Sequence, residues 1–352
     1  MSPFTGKVLV TGGTGFIGSH TCVELLSHGY DVIAVDDFSN SSRVVPQRIA
    51  ELAGRPVTMV EVDVCDRGGL ARVFAAHDVD AVIHFAAYKA VGESVEKPLE
   101  YYDNNLGGLC TLLAVMAEHG VRDLVFSSSC SIYGTVDSTP ITEDTPANPT
   151  NPYSRTKWIG EQILRDACAA RPELNVTALR YFNPTGAHPS GLLGEDPRGI
   201  PNNVVPYLMQ VAIGRLSKLR VFGNDYATPD GTGVRDYIHV VDVAEGHRVA
   251  LGRFAGDAGF RVLNLGTGRG TSVLELVDAF GAACGRPIAY EIVGRRPGDV
   301  DALVADPSRA TDVLGWRTRC TLEDMCRDAW NFQVRNPYGY DRAAGETNVP
   351  PR

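Results

Sequence analysis

Short apolar runs alternate with helical stretches along the first half of the chain. Lys7 to Thr11 reads as a strand, and Ile17 to His28 as the helix behind it. Asp31 to Asp36, Val57 to Val62, Val79 to Phe85, Leu124 to Ser128 and Val176 to Tyr181 read as further strands. A helix from about Tyr153 to Ala170 precedes the last of these. Strands in parallel order with crossover helices predict an α/β fold built on a doubly wound parallel sheet. After Tyr181 the rhythm changes. The stretch from Asn183 to Pro206 is rich in Gly and Pro, as in loops that shape a pocket. A helix over about 206–214, a strand over 219–222, a short strand near Leu263 and helices over 272–284 and 322–334 follow. The change predicts a boundary between 182 and 183, with a smaller C-terminal α/β unit over 183–352. Parts of about 234–267 are expected to pack back on the first unit. No internal repeat or low-complexity tract is present, and the polar tail after Tyr338 is expected to fray.

Composition narrows the class. The chain has 352 residues, 44% hydrophobic and 21% charged, which suits a folded protein with a sizeable core. No run reaches the roughly 18 to 20 apolar residues of a membrane span. MSPFTGK leads directly into the first strand, leaving no room for a signal peptide. Eight scattered cysteines without a CxxC pair predict reduced thiols and a cytoplasmic location. Cys320 and Cys326 lack His and Cys partners at zinc spacing, so no metal is expected. The net charge of −9 supplies no basic stripe for nucleic acid. A small anion stays open wherever arginines gather, as at Arg235 and Arg295-Arg296.

The first candidate chemistry is TGGTGFIG, Thr11 to Gly18, which follows a strand and opens a helix. Here Gly12 permits the tight turn, Gly15 lets the backbone approach a pyrophosphate, and Gly18 allows close helix–sheet packing. That context predicts a dinucleotide-binding (Rossmann) unit over 1–182. Asp36 ends the second strand, 18 residues beyond Gly18, where a carboxylate accepts bonds from the adenosine ribose hydroxyls. With Asp37 beside it, it would repel a 2′-phosphate, so NAD is predicted over NADP. Asp63 and Val64 fall after the third strand, where an adenine-contacting loop belongs.

The second is a proton-transfer pair. Pro152 suits a helix start, and YSRTK places Tyr153 and Lys157 on one face of that helix. An unperturbed phenol has a pKa of about 10. A nearby ammonium and a cationic nicotinamide both stabilise phenolate, bringing it towards use as a base. Ser129, at a strand end in FSSSCSIYG, can bond the same substrate oxygen. YxxxK alone is common; its weight comes from the glycine loop upstream.

These motifs resemble the extended short-chain dehydrogenase/reductase family. The strings HFAAYKAVGESVEKPLEYYDNN, LRYFNPTGAHPSG, GIPNN, VFGNDYATPDGTGVRDYIHV and RRPGD are similar to its UDP-sugar 4-epimerase branch, from about Lys7 to Tyr340. The resemblance implies that Phe16, Ile17, Asn40, Phe85, Ala86, Ala87, Lys89, Asn104, Tyr181 and Phe182 border the cofactor. It implies that Lys157 holds the nicotinamide ribose while tuning Tyr153. Lys89, Ser129 and Tyr153 would also meet the substrate. Asn183 and Asn203 would hold the diphosphate-sugar, Val221 and Phe222 bracket the uracil, Arg235 and Arg296 neutralise the diphosphate, and Asp299 bind the uridine ribose. Read without the resemblance, Phe222 is a core residue and Arg296 a solvated charge.

The reaction implied is NAD-dependent interconversion of UDP-galactose and UDP-glucose, by oxidation at C4, rotation of the 4-keto sugar and re-reduction. Alternatives are 4-epimerisation of a UDP-N-acetylhexosamine or UDP-pentose, and a non-catalytic NAD-binding regulator; intact Ser129, Tyr153 and Lys157 argue against the last. Dehydratases of the family carry an Asp-Glu pair just after the serine. Cys130 and Ser131 stand there instead, which disfavours water elimination. The resemblance implies that the residue at position 303 gates sugar size, and Leu303 is intermediate in volume between the family's bulky tyrosine and its small residues. The family further implies a homodimer through a four-helix interface, with Tyr153 to Ala170 and a helix beginning near Pro98 as candidates. Leu106, Leu109 and Leu113 form an apolar stripe on the second, which would serve an interface or a core face equally.

Overall fold

The computed structural model describes residues 6–136, 138–296 and 299–340. Seven parallel strands form the large sheet: β1 (Lys7–Thr11), β2 (Asp31–Asp36), β3 (Thr58–Glu61), β4 (Ala81–His84), β5 (Asp123–Ser129), β6 (Asn175–Tyr181) and β7 (Gly259–Leu265). Their order is β7-β6-β5-β4-β1-β2-β3, so the winding reverses between β1 and β4. In such sheets ligands bind outside the carboxyl ends of the strands at that reversal. The register brings those ends to one rim: Thr11 pairs with Val35 and His84, and Ser129 with Tyr181.

Strand alternation sends successive side chains to opposite faces. Val8 and Val10 pack under the helices Phe16–Ser27 and Val240–Phe254, with Leu25, Leu26, Val243 and Leu251. Leu9 and Ile33 face the other way, into a core with Leu70, Phe74, Leu112 and Leu164 from three helices. Each fully buried Leu or Val contributes about 1.5–3 kcal/mol of transfer free energy. The strand near Leu263 is β7, which extends this sheet beside β6 across seven registered pairs.

A third core gathers Leu208, Val221, Leu276, Phe280 and Ala329, from the helices Val204–Ala212, Val273–Cys284 and Leu322–Arg335 and the strand Leu219–Phe222. Capping boxes at Ser272–Glu275 and Thr321–Asp324 start two of these helices. The tail departs from expectation. The Tyr340 hydroxyl donates to Gly194 O at 2.9 Å and accepts from Gly194 N–H, and Arg48 stacks on its ring, so the chain is docked as far as Tyr340. The rest of the tail, 341–352, lies outside the described residues.

The rod beginning at Pro98 runs through a π-turn at Asp103–Gly107 into the helix Gly108–Glu118. Leu109 is fully buried and Leu113 packs on the same core, so that part of the stripe is a core face.

Candidate active site

The glycine loop leaves β1 with Gly12 at φ +67°, a conformation that only glycine adopts without strain. A Cβ on Gly12 would come within 2.8 Å of Ala86 N, in the loop after β4. The Gly18 role differs from expectation. A Cβ there would lie 2.1 Å from Gly12 O, so Gly18 seats the helix on the turn itself. Contact with the sheet falls to Gly13, whose Cβ would meet Ala34 of β2 at 2.8 Å. Gly15 is the N-cap of the helix Phe16–Ser27, in extended conformation and without a side-chain cap. A Cβ on Gly15 would touch only Gly12 O, at 3.3 Å. Uncapped amides at Phe16, Ile17 and Gly18, with no acid in the first turn, form a cradle that fits a pyrophosphate.

Asp36 ends β2 with its carboxylate accepting from Thr14 N–H at 3.1 Å, Phe38 N–H at 3.0 Å and the Ser41 hydroxyl at 2.9 Å. A carboxylate has about four acceptor sites, so room remains for a ribose hydroxyl. Asp37 is exposed and holds the Ser39 turn; Asn40 is exposed beyond it. Across the cleft Asp63 accepts from Cys65 N–H at 2.8 Å, Val64 is buried, and Cys65 Sγ lies 3.7 Å from Asn104 O. Cys65 thus links the loop of Asp63 to the main chain at Asn104. The loop after β4 is fastened by Phe85 N–H to Thr11 O at 3.0 Å and Ala86 N–H to Thr11 Oγ1 at 3.3 Å; Ala87 follows, half-buried. Sequence reasoning missed Asn105, which clamps that loop through Tyr88 N–H and Tyr88 O and also donates to Thr156 Oγ1.

Pro152 opens the helix Pro152–Ala170 as predicted, and Asn151 caps it, with Ser154 closing a capping box. Lys157 Nζ donates to Ser127 O at 2.8 Å and lies over the Phe126 ring. Burial holds its pKa down, at about 8, so it is still an ammonium at neutral pH. Burial pushes the Tyr153 phenol up to about 12, against a hydrogen bond from Ser129 that lowers it. Proton acceptance by Tyr153 therefore needs added positive charge in the cleft, such as a cationic nicotinamide. Tyr181 bonds the Ser127 hydroxyl, and Phe182 N–H donates to Leu265 O at 3.1 Å. Cys130 is buried and its thiol is pushed up to about 12, so it is neutral. Ser131 beside it carries no acid.

On the other wall, Asn183 N–H donates to Asp236 O, while its side-chain oxygen is buried without a partner among the described residues. An orphan acceptor at this rim fits a ligand hydroxyl. Arg235 donates to Val234 O and Val300 O and stands 3.6 Å from Asp299. Arg296 donates to the same carboxylate at 2.8 and 3.1 Å and stacks on Phe222, keeping 56% of its side chain exposed. Two guanidiniums thus share one acid, leaving excess positive charge for a diphosphate. Phe222 is only half-buried, so it can present a ring face. Val221 is fully buried in the C-terminal core, which confines any uracil contact by it to the main chain. Leu303 packs half-buried against the cluster of Cys130, Ile132 and Phe182. Lys89 and Asn203 meet at Glu195, a residue that sequence reasoning missed.

A dinucleotide cradle, a ribose-side carboxylate and a Ser–Tyr–Lys set on a sheet of this order define an extended short-chain dehydrogenase/reductase. The family model described as GDP-mannose 4,6 dehydratase matches residues 9–329. The UDP-glucose 4-epimerase of Bacillus subtilis (strain 168) is 54% identical over 336 residues, covering 96% of this chain and 99% of the relative. The crystal structure of UDP-glucose 4-epimerase from Bifidobacterium longum in complex with NAD+ and UDP superposes with a TM-score of 0.92. It is 53% identical and covers 95% of this chain and 100% of that one. A 4-epimerase structure from Stenotrophomonas maltophila, with bound NAD and formylated UDP-arabinopyranose, has a TM-score of 0.92 at 48% identity, covering 94% of this chain and 98% of that one. The chain belongs to the UDP-glucose 4-epimerase family.

Proposed function

We infer that this protein interconverts UDP-galactose and UDP-glucose by reversible oxidation at C4. What supports this most is the Ser129–Tyr153 hydrogen bond beside a buried Lys157, together with Arg235 and Arg296 gathered on Asp299. NAD, held by the glycine loop from Gly12 to Gly18 and by Asp36, would supply reversible hydride transfer at C4. Tyr153 accepts the proton of the 4-hydroxyl and gives it back, and Ser129 holds the same oxygen. Lys157, fixed by Ser127 O, supplies the charge that favours phenolate. Arg235, Arg296, Asn183 and Asn203 grip the nucleotide end, while Leu303 and Phe182 offer the sugar an apolar wall with few fixed bonds. Strong anchoring away from the reacting carbon lets the 4-keto sugar turn without leaving. In this reading residues 1–182 hold NAD and 183–352 hold the UDP-sugar.

The assembly is a homodimer. Val91, Val95 and Leu99, the last two 63% and 79% exposed, support this. They lie on short helices that pack beside Pro152–Ala170 and leave apolar side chains bare. A cytoplasmic location accords with eight unpaired cysteines. No helix among the described residues is long and apolar enough to cross a membrane.

The test is proton NMR of the purified protein with UDP-galactose and no added NAD. Appearance of UDP-glucose supports both the reaction and a retained cofactor. Turnover that needs added NAD keeps the reaction and removes the retention. Silence with NAD present, or undiminished turnover in Tyr153→Phe, overturns the reading.

A further inference from the structure

Glu195 lies in the Gly- and Pro-rich loop between β6 and the helix Val204–Ala212, yet its side chain is only 7% exposed. A buried carboxylate is costly unless it is paired and hydrogen-bonded. Its Oε1 accepts from Lys89 Nζ at 2.6 Å and from Asn203 Nδ2 at 2.9 Å. Lys89 belongs to the loop after β4, 106 residues earlier, on the cofactor wall. Asn203 is the N-cap residue of Val204–Ala212, on the substrate wall. Its side chain makes no capping bond there and is turned to Glu195 instead. A single oxygen atom therefore joins the two walls.

We propose that Glu195 is a positioning residue for the epimerase reaction: it sets the Lys89 ammonium and the Asn203 amide at one fixed spacing. That spacing fixes how far the sugar carbon stands from the cofactor. The proposal rests on the UDP-hexose reading given above. The bond to Lys89 is charge-assisted and therefore short and directional. Loss of the carboxylate frees the lysine and lets each wall hold its own ligand out of step with the other. Small misplacements of this kind lower kcat severely even when both ligands still bind.

The experiment uses the purified holoenzyme with UDP-galactose and the variants Glu195→Gln, Lys89→Met, Asn203→Ala and their pairs. In Glu195→Gln, kcat is expected to fall at least tenfold and KM for UDP-galactose to rise several-fold, with an unchanged melting temperature. Adding Asn203→Ala to Glu195→Gln is expected to cost much less than the product of the two single effects, because both break one link. Wild-type kcat and KM in Glu195→Gln, or strictly multiplicative effects in the double variant, overturn the proposal. A variant that only loses folded protein, with KM and kcat per active site preserved, also overturns it. Should Glu195→Gln fail to fold, the pair Lys89→Met and Asn203→Ala tests the same link with Glu195 intact. Coupling between them supports the bridge, and independence removes it. A wild-type protein silent on UDP-galactose sinks the functional reading instead, so the two failures are distinct.

Discussion

Ser128 Oγ donates to Glu161 Oε1 at 2.6 Å, with both groups shut off from solvent. Glu161 stands one turn beyond Lys157 and two beyond Tyr153 on the same helix. Ser128 stands between Ser127, whose carbonyl holds Lys157, and Ser129, which bonds Tyr153. Three consecutive strand residues thus grip three successive turns of the helix that carries the chemistry. Arg180 of β6 completes the set with paired bonds to Glu161 at 2.8 and 2.5 Å.

Breaking that pair leaves a buried charge alone. Arg180→Met is expected to cost about 3–5 kcal/mol of stability, read by urea unfolding. Ser128→Ala removes one neutral donor and is expected to cost about 1–2 kcal/mol, with kcat lowered more than KM raised. An Arg180→Met protein as stable as wild type would remove the network from the account.

Lys157 predicts a conflict between stability and activity. Its folded pKa, about 8, lies below the unfolded value of 10.5. Between those two values the unfolded chain binds more protons, so stability rises with pH there. Below about 8 the cost of the buried charge is present in full, about 3 kcal/mol. Lys157→Met in NAD-free form is therefore expected to melt higher than wild type at pH 7. The gap should narrow as pH climbs towards 10.5. Its turnover should fall at least about 100-fold. A lower melting point at pH 7 contradicts this.

The glycine loop separates folding from binding. A Cβ at Gly15 meets little but the cradle itself, whereas one at Gly18 collides with Gly12 O at 2.1 Å. Gly15→Ala is expected to fold normally and be purified without NAD, read from the absorbance of released cofactor. Gly18→Ala is expected to lower the melting temperature markedly as well. Retained NAD in a normally folded Gly15→Ala would place the pyrophosphate elsewhere.

Leu303 lies in the apolar wall with Cys130 and Phe182. Leu303→Tyr is expected to lower any turnover of UDP-N-acetylglucosamine while sparing UDP-galactose, and Leu303→Ala to raise it. Extra volume in the wall acts by crowding the 2-substituent, a difference worth about 1–3 kcal/mol. Equal ratios of kcat/KM in all three proteins would exclude Leu303 as a gate.

Local chemistry was legible in the chain, and distant pairing was not. The glycine turn and the Tyr153–Lys157 helix each rest on residues a few positions apart, and Asp36 on a fixed interval from that turn, so their order along the chain makes them candidates together. Glu195 reads as one more loop acid until folding brings it to Lys89. Glu161 and Arg180 look like ordinary helix and strand charges, yet they form one buried pair. Leu109 was ambiguous for a related reason: helical period reports which face is apolar, not what covers it. Val221 and Phe222 are neighbours in one strand, and alternation sends the first into the core and leaves the second beside Arg296.

The position of β7 bears on how the protein is made. Its residues, Gly259–Leu265, join the large sheet only after the long stretch of chain that follows β6. During synthesis β6 therefore waits with an open edge until roughly three quarters of the chain has left the ribosome. A fragment ending at residue 182 would carry every cofactor motif and still expose that bare strand, an invitation to aggregate. Expression trials of a minimal NAD-binding piece should accordingly retain the segment through Leu265.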